Sequence, residues 1–599
     1  MVTNPIIEFL ASYGPQPSSN NLYDEFVVEA SKKSGCEPIE IAQPLAAELE
    51  AMFRSDTPQS VILTGTAGDG KTYTARKLVE AIAGSGAHWK NTQKIYDLKA
   101  PNASDLQIRF IKDLSELNES DKNQLYANVR ASLDGQGGDH FVICVNDGHL
   151  LKFFRDREDD CDTVHDRISD MLQTDKQQDP DGHFRLINMS RQSHQNLVDQ
   201  IIDAIVKHPG WSGCEGCPAL ESHDNRCPIR CNLDILRKTD AGSMRARLKD
   251  MIRMAAADGR HLSIRQLILL TVNILLGDKA PGRALLTCQK ARNRAIRNDY
   301  ASTNPYANVF GENLTERERR QYGAFAVLGE FGIGFETNNF FDHNLLWGTN
   351  TLPQCEFYGA RIFESHRERY RVDPMTNARE FRREMVDQRR RLFFSIDPEA
   401  TEVRQEPRRD PWNLSVFKHG ANYIRMAKAL AAPDGKMPSE IRRDLVRGLN
   451  RMLTGEMTTT EDRIWLTEPS GVYLGHEIPL LVTHAGSRKQ GSTYVSFPPS
   501  ENIGKAPILK VTPYGKQELS VDLVLRPTLV ECLLRVADGA LPASFSSECR
   551  QDIERFQLRI VASVREAAYP HAPPPQQIEM VDGALQSRPI DIMDIEEDW

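Results

Sequence analysis

The sequence predicts an α/β protein built on a mostly parallel sheet, and three observations lead to this prediction. A glycine-rich loop at residues 65–72 lies between an apolar run and a stretch with helical spacing. Strand-like and helix-like segments alternate from residue 60 to about residue 276, as in chains whose parallel strands are joined by helices. After residue 456, short strand candidates follow one another, which predicts a separate β-rich region.

Length and composition narrow the classes of protein to consider. The chain has 599 residues, too many for one hydrophobic core, so several domains are expected. A net charge of −9 argues against a surface that is basic overall. The first ten residues lack the pattern of a signal peptide, and no apolar run is as long as a membrane span. We therefore expect a cytoplasmic protein with no membrane partner, whose 11 cysteines are reduced or bound to metal.

Five regions are predicted along the chain. A helical lead-in at residues 1–55 precedes an α/β core with a helical lid at residues 56–276. Residues 277–455 have mainly helical patterns, and residues 456–568 form the β-rich C-terminal domain. Residues 569–599 are proline-rich and then acidic, which favours a flexible tail, with a docking peptide as the other interpretation.

The segment that begins at Gly65 and ends at Thr72 indicates the chemistry most directly. It matches the pattern G-x-x-x-x-G-K-[ST], the phosphate-binding loop of P-loop NTPases. In that loop, backbone N–H groups surround the phosphates, the lysine adds a positive charge, and the Ser or Thr hydroxyl binds Mg²⁺. We therefore predict a P-loop NTPase fold that binds ATP and Mg²⁺. The residues predicted to contact the nucleotide are Gly65, Thr66, Ala67, Gly68, Asp69, Gly70, Lys71, Thr72 and Tyr73.

Hydrolysis requires further polar groups, and these are expected at the end of a second buried strand. The apolar run at residues 141–145 is followed by Asn146 and Asp147. ATPases usually have an Asp there, which holds Mg²⁺, and then a Glu, which orients the attacking water. Here Asn146 takes the metal position and Asp147 the base position, or Asp147 serves the metal and the base is unassigned. Either assignment predicts slow or partner-stimulated hydrolysis, because the Asp carboxylate reaches less far than that of Glu.

Two more positions match the AAA+ class of P-loop ATPases. Asn188 ends a strand candidate and is predicted to be the first sensor, on a strand between the phosphate loop and the acidic strand; a strand-ending turn is the other interpretation. Arg191 fits either a trans-acting arginine finger or a surface charge. Arg265 lies in the first turn of a helix capped by Ser263, where the helix dipole disfavours a cation. A nucleotide phosphate, as at the second sensor of an AAA+ lid, or a nearby acid would compensate this charge.

Four cysteines lie close together in an insertion at residues 211–231 of the predicted core. Their spacing, C-x₂-C followed by C-x₃-C, is typical of thiolate ligands of a tetrahedral Zn²⁺ ion. The predicted zinc ligands are Cys214, Cys217, Cys227 and Cys231. His223 is able to replace one of them, and an iron–sulfur cluster or redox thiols are the alternatives. Most of the other cysteines, Cys288 among them, are expected to be packing residues.

Arginines are dense between residues 361 and 409, with acidic residues interleaved. Interleaving favours a solvated helix with ion pairs, and a face that contacts nucleic-acid phosphates is the other interpretation. No known DNA- or RNA-binding module stands out in the sequence.

Taken together, the motifs resemble one known family. Val145–Gly148, Leu186–Arg191, the cysteine segment Trp211–Ile229 and Arg260–Arg265 follow the phosphate loop in this order. This arrangement resembles the P-loop ATPase subunit of bacterial DNA-phosphorothioation-dependent restriction systems and related antiphage ATPases, over about residues 60–275. The resemblance implies an oligomeric ATPase that works with other restriction subunits against DNA lacking a protective modification, with DNA contacted through those partners.

Two other functions fit the same motifs. A STAND-like signalling NTPase would bind nucleotide tightly, turn over rarely and oligomerise on sensing a ligand through residues 277–568. A scaffold with a structural nucleotide would retain ADP through purification and show no turnover. Ligand-dependent assembly without DNA distinguishes the first of these from a restriction ATPase.

Overall fold

The chain folds into two units whose sequences are interleaved. In the computed structural model, the first unit comprises Met1–Lys238 and His261–Leu328, and the second comprises Thr239–Arg260 and Gly329–Trp599. The predicted core and lid, residues 56–276, is thus divided between the two. The structure describes residues 3–15, 30–42, 44–84, 89, 93–100, 103–136, 138–157, 163–191, 197–221, 226–279, 285–347, 358–359, 361–468, 480–489, 491–500, 504–570 and 576–589.

A five-stranded sheet lies in the first unit. Its strands are β1 (Ser60–Thr64), β2 (Ile95–Ala100), β3 (Ala103–Ile111), β4 (His140–Cys144) and β5 (Phe184–Asn188). The spatial order is β2-β3-β4-β1-β5, in which β2 pairs antiparallel with β3 and all other pairs are parallel. The predicted α/β class with a mostly parallel sheet is therefore confirmed.

The position of β5 differs from the prediction. The strand of Asn188 is not between the loop strand and the acidic strand, because β1 pairs directly with β4, with Ile62 opposite Ile143. β5 pairs with the other edge of β1, where Thr64 lies opposite Asn188. Strand order in a parallel sheet depends on where the connecting helices pack, and the periodicity of a single strand carries no record of that.

Helices pack on both faces of this sheet. Alternate residues of β1 point to opposite faces, so Ile62 joins one buried cluster while Val61 and Leu63 join the other. The helices of the first unit are α1 (Pro5–Ala11), α2 (Pro44–Phe53), α3 (Lys71–Ala83), α4 (Glu119–Leu133), α5 (Asp147–Arg155), α6 (Thr163–Thr174), α7 (Leu197–Val206), α8 (Pro218–Glu221), α9 (Pro228–Arg237), α11 (Ile264–Leu276), α12 (Cys288–Ile296), α13 (Pro305–Asn308), α14 (Glu316–Gln321) and α15 (Gly323–Gly329). A helix able to cross a bilayer is not found in the described part of the chain.

The second unit combines helices with two antiparallel sheets. Its helices are α10 (Met244–Ala257), α16 (Asn339–Trp347), α17 (Arg361–Val372), α18 (Pro374–Ser395), α19 (Thr401–Gln405), α20 (Gly420–Ala431), α21 (Ser439–Thr454), α22 (Pro527–Ala537) and α23 (Ser547–Ala568). Its strands are β6 (Ile464–Thr467), β7 (Leu480–Ala485), β8 (Tyr494–Ser496), β9 (Ile508–Thr512), β10 (Val521–Val524), β11 (Gln576–Val581) and β12 (Ala584–Pro589). The sheet orders are β10-β9-β8 and β12-β11-β7-β6.

Part of the predicted flexible tail is ordered, which corrects the prediction for residues 569–599. β11 and β12 form an antiparallel hairpin, and Ile578 and Leu585 belong to a buried apolar cluster. The turn residues Asp582 and Gly583 have φ values of 51° and 77°, as a tight hairpin turn with left-handed residues requires. This Asp-Gly pair is the sequence signal for the hairpin. Residues 590–599, with the acidic end, lie outside the described residues.

The arginine-dense helix α18 buries some of its charged side chains. Arg390 and Arg391 are only 2% and 4% exposed. Arg389 forms two hydrogen bonds to the Asp342 carboxylate, at 2.7 and 3.0 Å. These arginines therefore pack and pair inside the second unit, which is a more buried arrangement than the predicted solvated helix.

Candidate functional site

The glycine-rich loop at residues 65–72 joins the carboxyl end of β1 to the start of α3. Three of its glycines, Gly65, Gly68 and Gly70, have φ values of 132°, 93° and 86°. Residues with a Cβ rarely adopt these values, so the glycines permit a tight turn at the start of the helix. Gly70 is the N-cap of α3 and Lys71 is its first residue, so the positive end of the helix dipole faces the loop.

Two other segments lie against the loop. A Cβ on Gly65 would come within 2.9 Å of the Ser190 hydroxyl, which follows β5. A Cβ on Gly68 would come within 2.9 Å of both the Ser263 Oγ and the Arg265 Cβ, at the start of α11. The loop is therefore closely flanked by the end of β5 and by the first turn of α11.

The Lys71 ammonium is held at the centre of this loop. Its Nζ donates hydrogen bonds to the carbonyl oxygens of Gly65 and Thr66, both at 2.8 Å, and to Asn146 Oδ1 at 3.0 Å. Asn146 is the N-cap of α5 and directly follows β4 and Val145. Lys71 and Asn146, which are 75 positions apart in sequence, are thus brought into contact.

Asp147 and Asn188 also meet at this edge of the sheet. Thr64, at the end of β1, donates a hydrogen bond from Oγ1 to Asp147 Oδ1. Asn188 Nδ2 donates to Asp147 Oδ2 at 3.4 Å, across β1. The carboxyl ends of three parallel strands therefore place four predicted residues side by side: Lys71, Asn146, Asp147 and Asn188.

Asp113 is a further acid near the loop that the sequence analysis does not select. It follows β3, and its carboxylate accepts hydrogen bonds from the N–H and hydroxyl groups of Ser115, at 2.8 and 2.6 Å. Burial lowers the pKa of Lys71, and Asp113 is one of the acids whose charge opposes that shift. Thr72 Oγ1 lies 3.5 Å from the Lys112 carbonyl beside Asp113. In the sequence, an acid directly after an apolar strand is the pattern that would indicate such a residue. Here Lys112 separates Asp113 from the apolar residues of β3 and obscures that pattern.

Asp69 connects the loop to both flanking segments. Its carboxylate is buried, and Oδ2 accepts hydrogen bonds from the Thr66 N–H at 2.7 Å and from Ser190 Oγ at 2.6 Å. Its Oδ1 lies 2.6 Å from His261 Nε2. Burial acts to raise the pKa of Asp69, but hydrogen bonds from His261, Ser190 and Thr66 outweigh it and leave the pKa below its ordinary value. The carboxylate is thus an acceptor on two sides of the loop.

Arg265 lies at the start of α11 as predicted. Ser263 caps this helix in a reciprocal arrangement with Gln266, which confirms the predicted N-cap. The Arg265 N–H donates to the Gly68 carbonyl at 3.3 Å, and the Arg265 residue is half-buried. The first turn of α11 therefore contacts the loop through backbone and side-chain atoms.

Two other predicted positions have partners beyond the loop. The Tyr73 hydroxyl donates to the Ile41 carbonyl at 3.4 Å, and the Arg76 guanidinium lies 5.1 Å from the centre of the Tyr73 ring. Arg191 is 3.5 Å from Asp175 and nearly half exposed, which agrees with the surface-charge interpretation. Neither contact involves the polar groups around Lys71.

The cysteine segment is assembled differently. Asn4 Nδ2 donates to Cys214 Sγ at 3.1 Å, and the Asn4 backbone N–H donates to the sulfur of Cys288 at 3.4 Å. Arg292 on α12 donates to Cys217 Sγ at 3.6 Å. Cys288, predicted to be a packing residue, is therefore a neighbour of the predicted zinc ligands.

The remaining predicted ligands lie at the start of α9. Cys227 is the N-cap of this helix, and Cys231 is buried one turn later. Burial raises the pKa of Cys227 to about 11, and the neighbouring Cys214 and Cys288 thiols contribute to the rise. Within the described ranges, no three His, Cys, Asp or Glu side chains are grouped to hold a metal ion. His223 lies outside those ranges, and the zinc site stays a prediction.

Comparison with known proteins adds no relative. We find no match to this chain among protein-family models, among curated proteins or among solved structures. The chemistry of the site is therefore inferred from its own groups: a half-buried ammonium, three carboxylates, two amides and a glycine-rich turn at a helix N-terminus.

Proposed function

We propose that this protein is an ATP-binding and ATP-hydrolysing P-loop NTPase of the AAA+ type. The observation that carries the proposal is the convergence of Lys71, Asn146, Asp147 and Asn188 beside the 65–72 loop. Parallel α/β sheets bind ligands at the carboxyl ends of their strands, and a helix N-terminus with free N–H groups favours phosphate. Both features support a nucleotide phosphate as the ligand of this loop.

Several residues around the loop then have roles in phosphoryl transfer to water. Lys71 exchanges its carbonyl acceptors for oxygens of the β- and γ-phosphates. Thr72 and one of the acids Asp113 and Asp147 would hold Mg²⁺, which would neutralise negative charge on the phosphates. The other acid accepts the hydrogen bond that orients the attacking water. Asn188 is in contact with Asp147 and supports its orientation.

We further propose that nucleotide state is coupled to a DNA-acting partner in a bacterial antiphage or restriction complex in the cytoplasm. The support is the resemblance in motif order over about residues 60–275. In this proposal the cysteine segment is a zinc-bound structural element, and DNA is contacted through other subunits of an oligomer.

The test is a comparison of two lysine variants on the same helix. Lys71→Ala removes the charge at the loop and is expected to lower Mg²⁺-ATP turnover by about a hundredfold or more, as loss of a key electrostatic group does. Lys77→Ala removes a lysine that pairs with Glu40 at 2.9 Å and with Glu80 at 3.3 Å, and is expected to keep activity. Phage protection in cells should follow turnover. Equal activity of wild type and Lys71→Ala would reject the proposed function.

A STAND-like switch is the second candidate, and the state of Asp147 favours it. Both oxygens of this carboxylate accept hydrogen bonds, from Thr64 and Asn188, so both are already engaged within the protein and not with an attacking water. A switch would bind ATP tightly and hydrolyse it rarely. Light scattering with ATP and with ADP separates the candidates: a switch assembles on ATP and a ligand without DNA, whereas a restriction ATPase turns over faster with its partners.

A further inference from the structure

Asp69 is an unusual residue for a loop that would hold a triphosphate. The Asp69 residue is 2% exposed, and its pKa lies below the ordinary value, so it carries a negative charge near the proposed phosphate position. Charges of like sign repel at short range. A negative charge at this position is unfavourable for phosphate binding unless the carboxylate has another role. The contacts of Asp69 indicate such a role.

The two oxygens of Asp69 serve different segments. Oδ2 accepts from Thr66 and Ser190, which orders the loop and joins it to the end of β5. Oδ1 faces His261 Nε2 at 2.6 Å. Because an ionised carboxylate only accepts hydrogen bonds, Nε2 carries the proton in this contact. His261 is 192 positions away in sequence and lies just before the cap of α11.

Two more contacts join the same segments. The Arg265 N–H donates to the Gly68 carbonyl at 3.3 Å. Gly68 also leaves room for Ser263 and Arg265, since a Cβ on it would come within 2.9 Å of each. Three contacts therefore hold the first turn of α11 against the loop: the Asp69–His261 pair, the Arg265–Gly68 backbone hydrogen bond and the close packing at Gly68.

We propose that Asp69 and His261 are positioning residues that hold the first turn of α11 on the loop and thereby set Arg265 for contact with the bound triphosphate. This inference rests on the proposed function, because Arg265 acts only if a phosphate occupies the loop. A polar loop–helix pair suits this task, since a hydrogen bond fixes direction as well as distance. The pair also makes the position of the lid helix depend on the shape of the loop.

The competing account is that Asp69 shapes the loop locally and His261 merely fills space. In that case the loss of His261 would act independently of Arg265. If His261 instead positions Arg265, the two residues act as one unit, and their effects on turnover are not additive. A double-mutant cycle therefore separates the two accounts.

The experiment measures kcat and KM for Mg²⁺-ATP in His261→Ala, Arg265→Ala and the double variant. Misplacing a catalytic group typically costs about a hundredfold, so each single variant is expected to lose roughly that factor in kcat. The double variant should be no slower than the slower single variant. Losses that multiply would overturn the inference, as would an Arg265→Ala variant with wild-type kcat.

Two controls keep the result interpretable. His261→Gln retains an N–H donor and is expected to recover most of the kcat lost in His261→Ala; no recovery contradicts a positioning role. His165→Ala removes a partly exposed histidine that lies 3.2 Å from Asp166, and should leave kcat unchanged. If His261→Ala does not fold, the cycle is run with Asp69→Asn and Arg265→Ala, because Asp69→Asn removes the charged acceptor that faces His261. Absence of turnover in folded wild type rejects the proposed function itself, whereas turnover with multiplying losses rejects only the positioning role.

Discussion

The 65–72 loop and the cysteine segment at residues 214–231 both belong to the first unit, but their polar groups are held in different ways. Around the loop, hydrogen bonds link separate strands and helices: Lys71 contacts Asn146, and Asp69 contacts His261. These links lie at the carboxyl ends of the strands of a mostly parallel sheet. The pairing of the strands fixes the backbone positions from which the side chains extend.

The described thiols of the cysteine segment are contacted by side chains from outside the segment. Cys214 is contacted by Asn4 and Cys217 by Arg292, both from distant parts of the chain. In the described residues the sulfurs do not form a ready metal group. A site on strand ends is thus ordered by backbone pairing, whereas the cysteine segment depends on what its side chains bind.

The largest expected effect concerns the two acids near the loop. Asp147→Asn and Asp113→Asn each remove one negative charge. Loss of an acid that holds Mg²⁺ or orients the attacking water should lower kcat by about a hundredfold or more. Steady-state turnover with a Mg²⁺ titration distinguishes the roles, since loss of the metal ligand also raises the Mg²⁺ requirement. Wild-type kcat in both variants would contradict the role of this sheet edge.

The second effect concerns metal content. Elemental analysis of the purified protein should find about one zinc per chain, as in structural thiolate sites. Cys214→Ser should lose it, and Cys288→Ser tests whether the thiol that shares Asn4 with Cys214 is also a ligand. Cys36→Ser, at a cysteine outside the segment, is the control. Wild-type protein without metal would end the zinc prediction.

A third effect tests how tightly α11 fits the loop. Gly68→Ala adds a Cβ at a φ of 93° and within 2.9 Å of two neighbours, which should cost about 1–3 kcal/mol in the free energy of unfolding. Gly84→Ala has a φ of 71° with nothing within 4 Å, so only the smaller backbone strain is expected. Urea unfolding measures both variants. Equal losses would show that contact with α11 is unimportant.

The smallest effect is a pH dependence of stability. The pKa of Asp69 is depressed in the folded protein, so its contribution to stability is present above the ordinary value of 3.8 and is lost as pH falls below it. Asp69→Asn should lack that part of the acid-induced loss, as followed by urea unfolding between neutral and acidic pH. Identical pH profiles would contradict a charged role for Asp69.

Local sequence patterns predict part of the site. The glycine-rich loop and the Ser263 cap depend on neighbouring residues, so both are visible in a short stretch of sequence. The side of β1 taken by the strand of Asn188, the approach of Asp113 and the pairing of His261 with the loop depend on how distant segments pack. Nothing in the spacing of these residues records that packing, and the same holds for Cys288.

The most direct test of the account is calorimetric titration of the folded full-length protein with ATP and Mg²⁺. Binding of one nucleotide per chain by wild type, and a large loss of affinity in Lys71→Ala with retention in Lys77→Ala, is the predicted result. If the folded wild-type protein binds neither ATP nor GTP in the presence of Mg²⁺, the 65–72 loop is not a nucleotide site and the account is wrong.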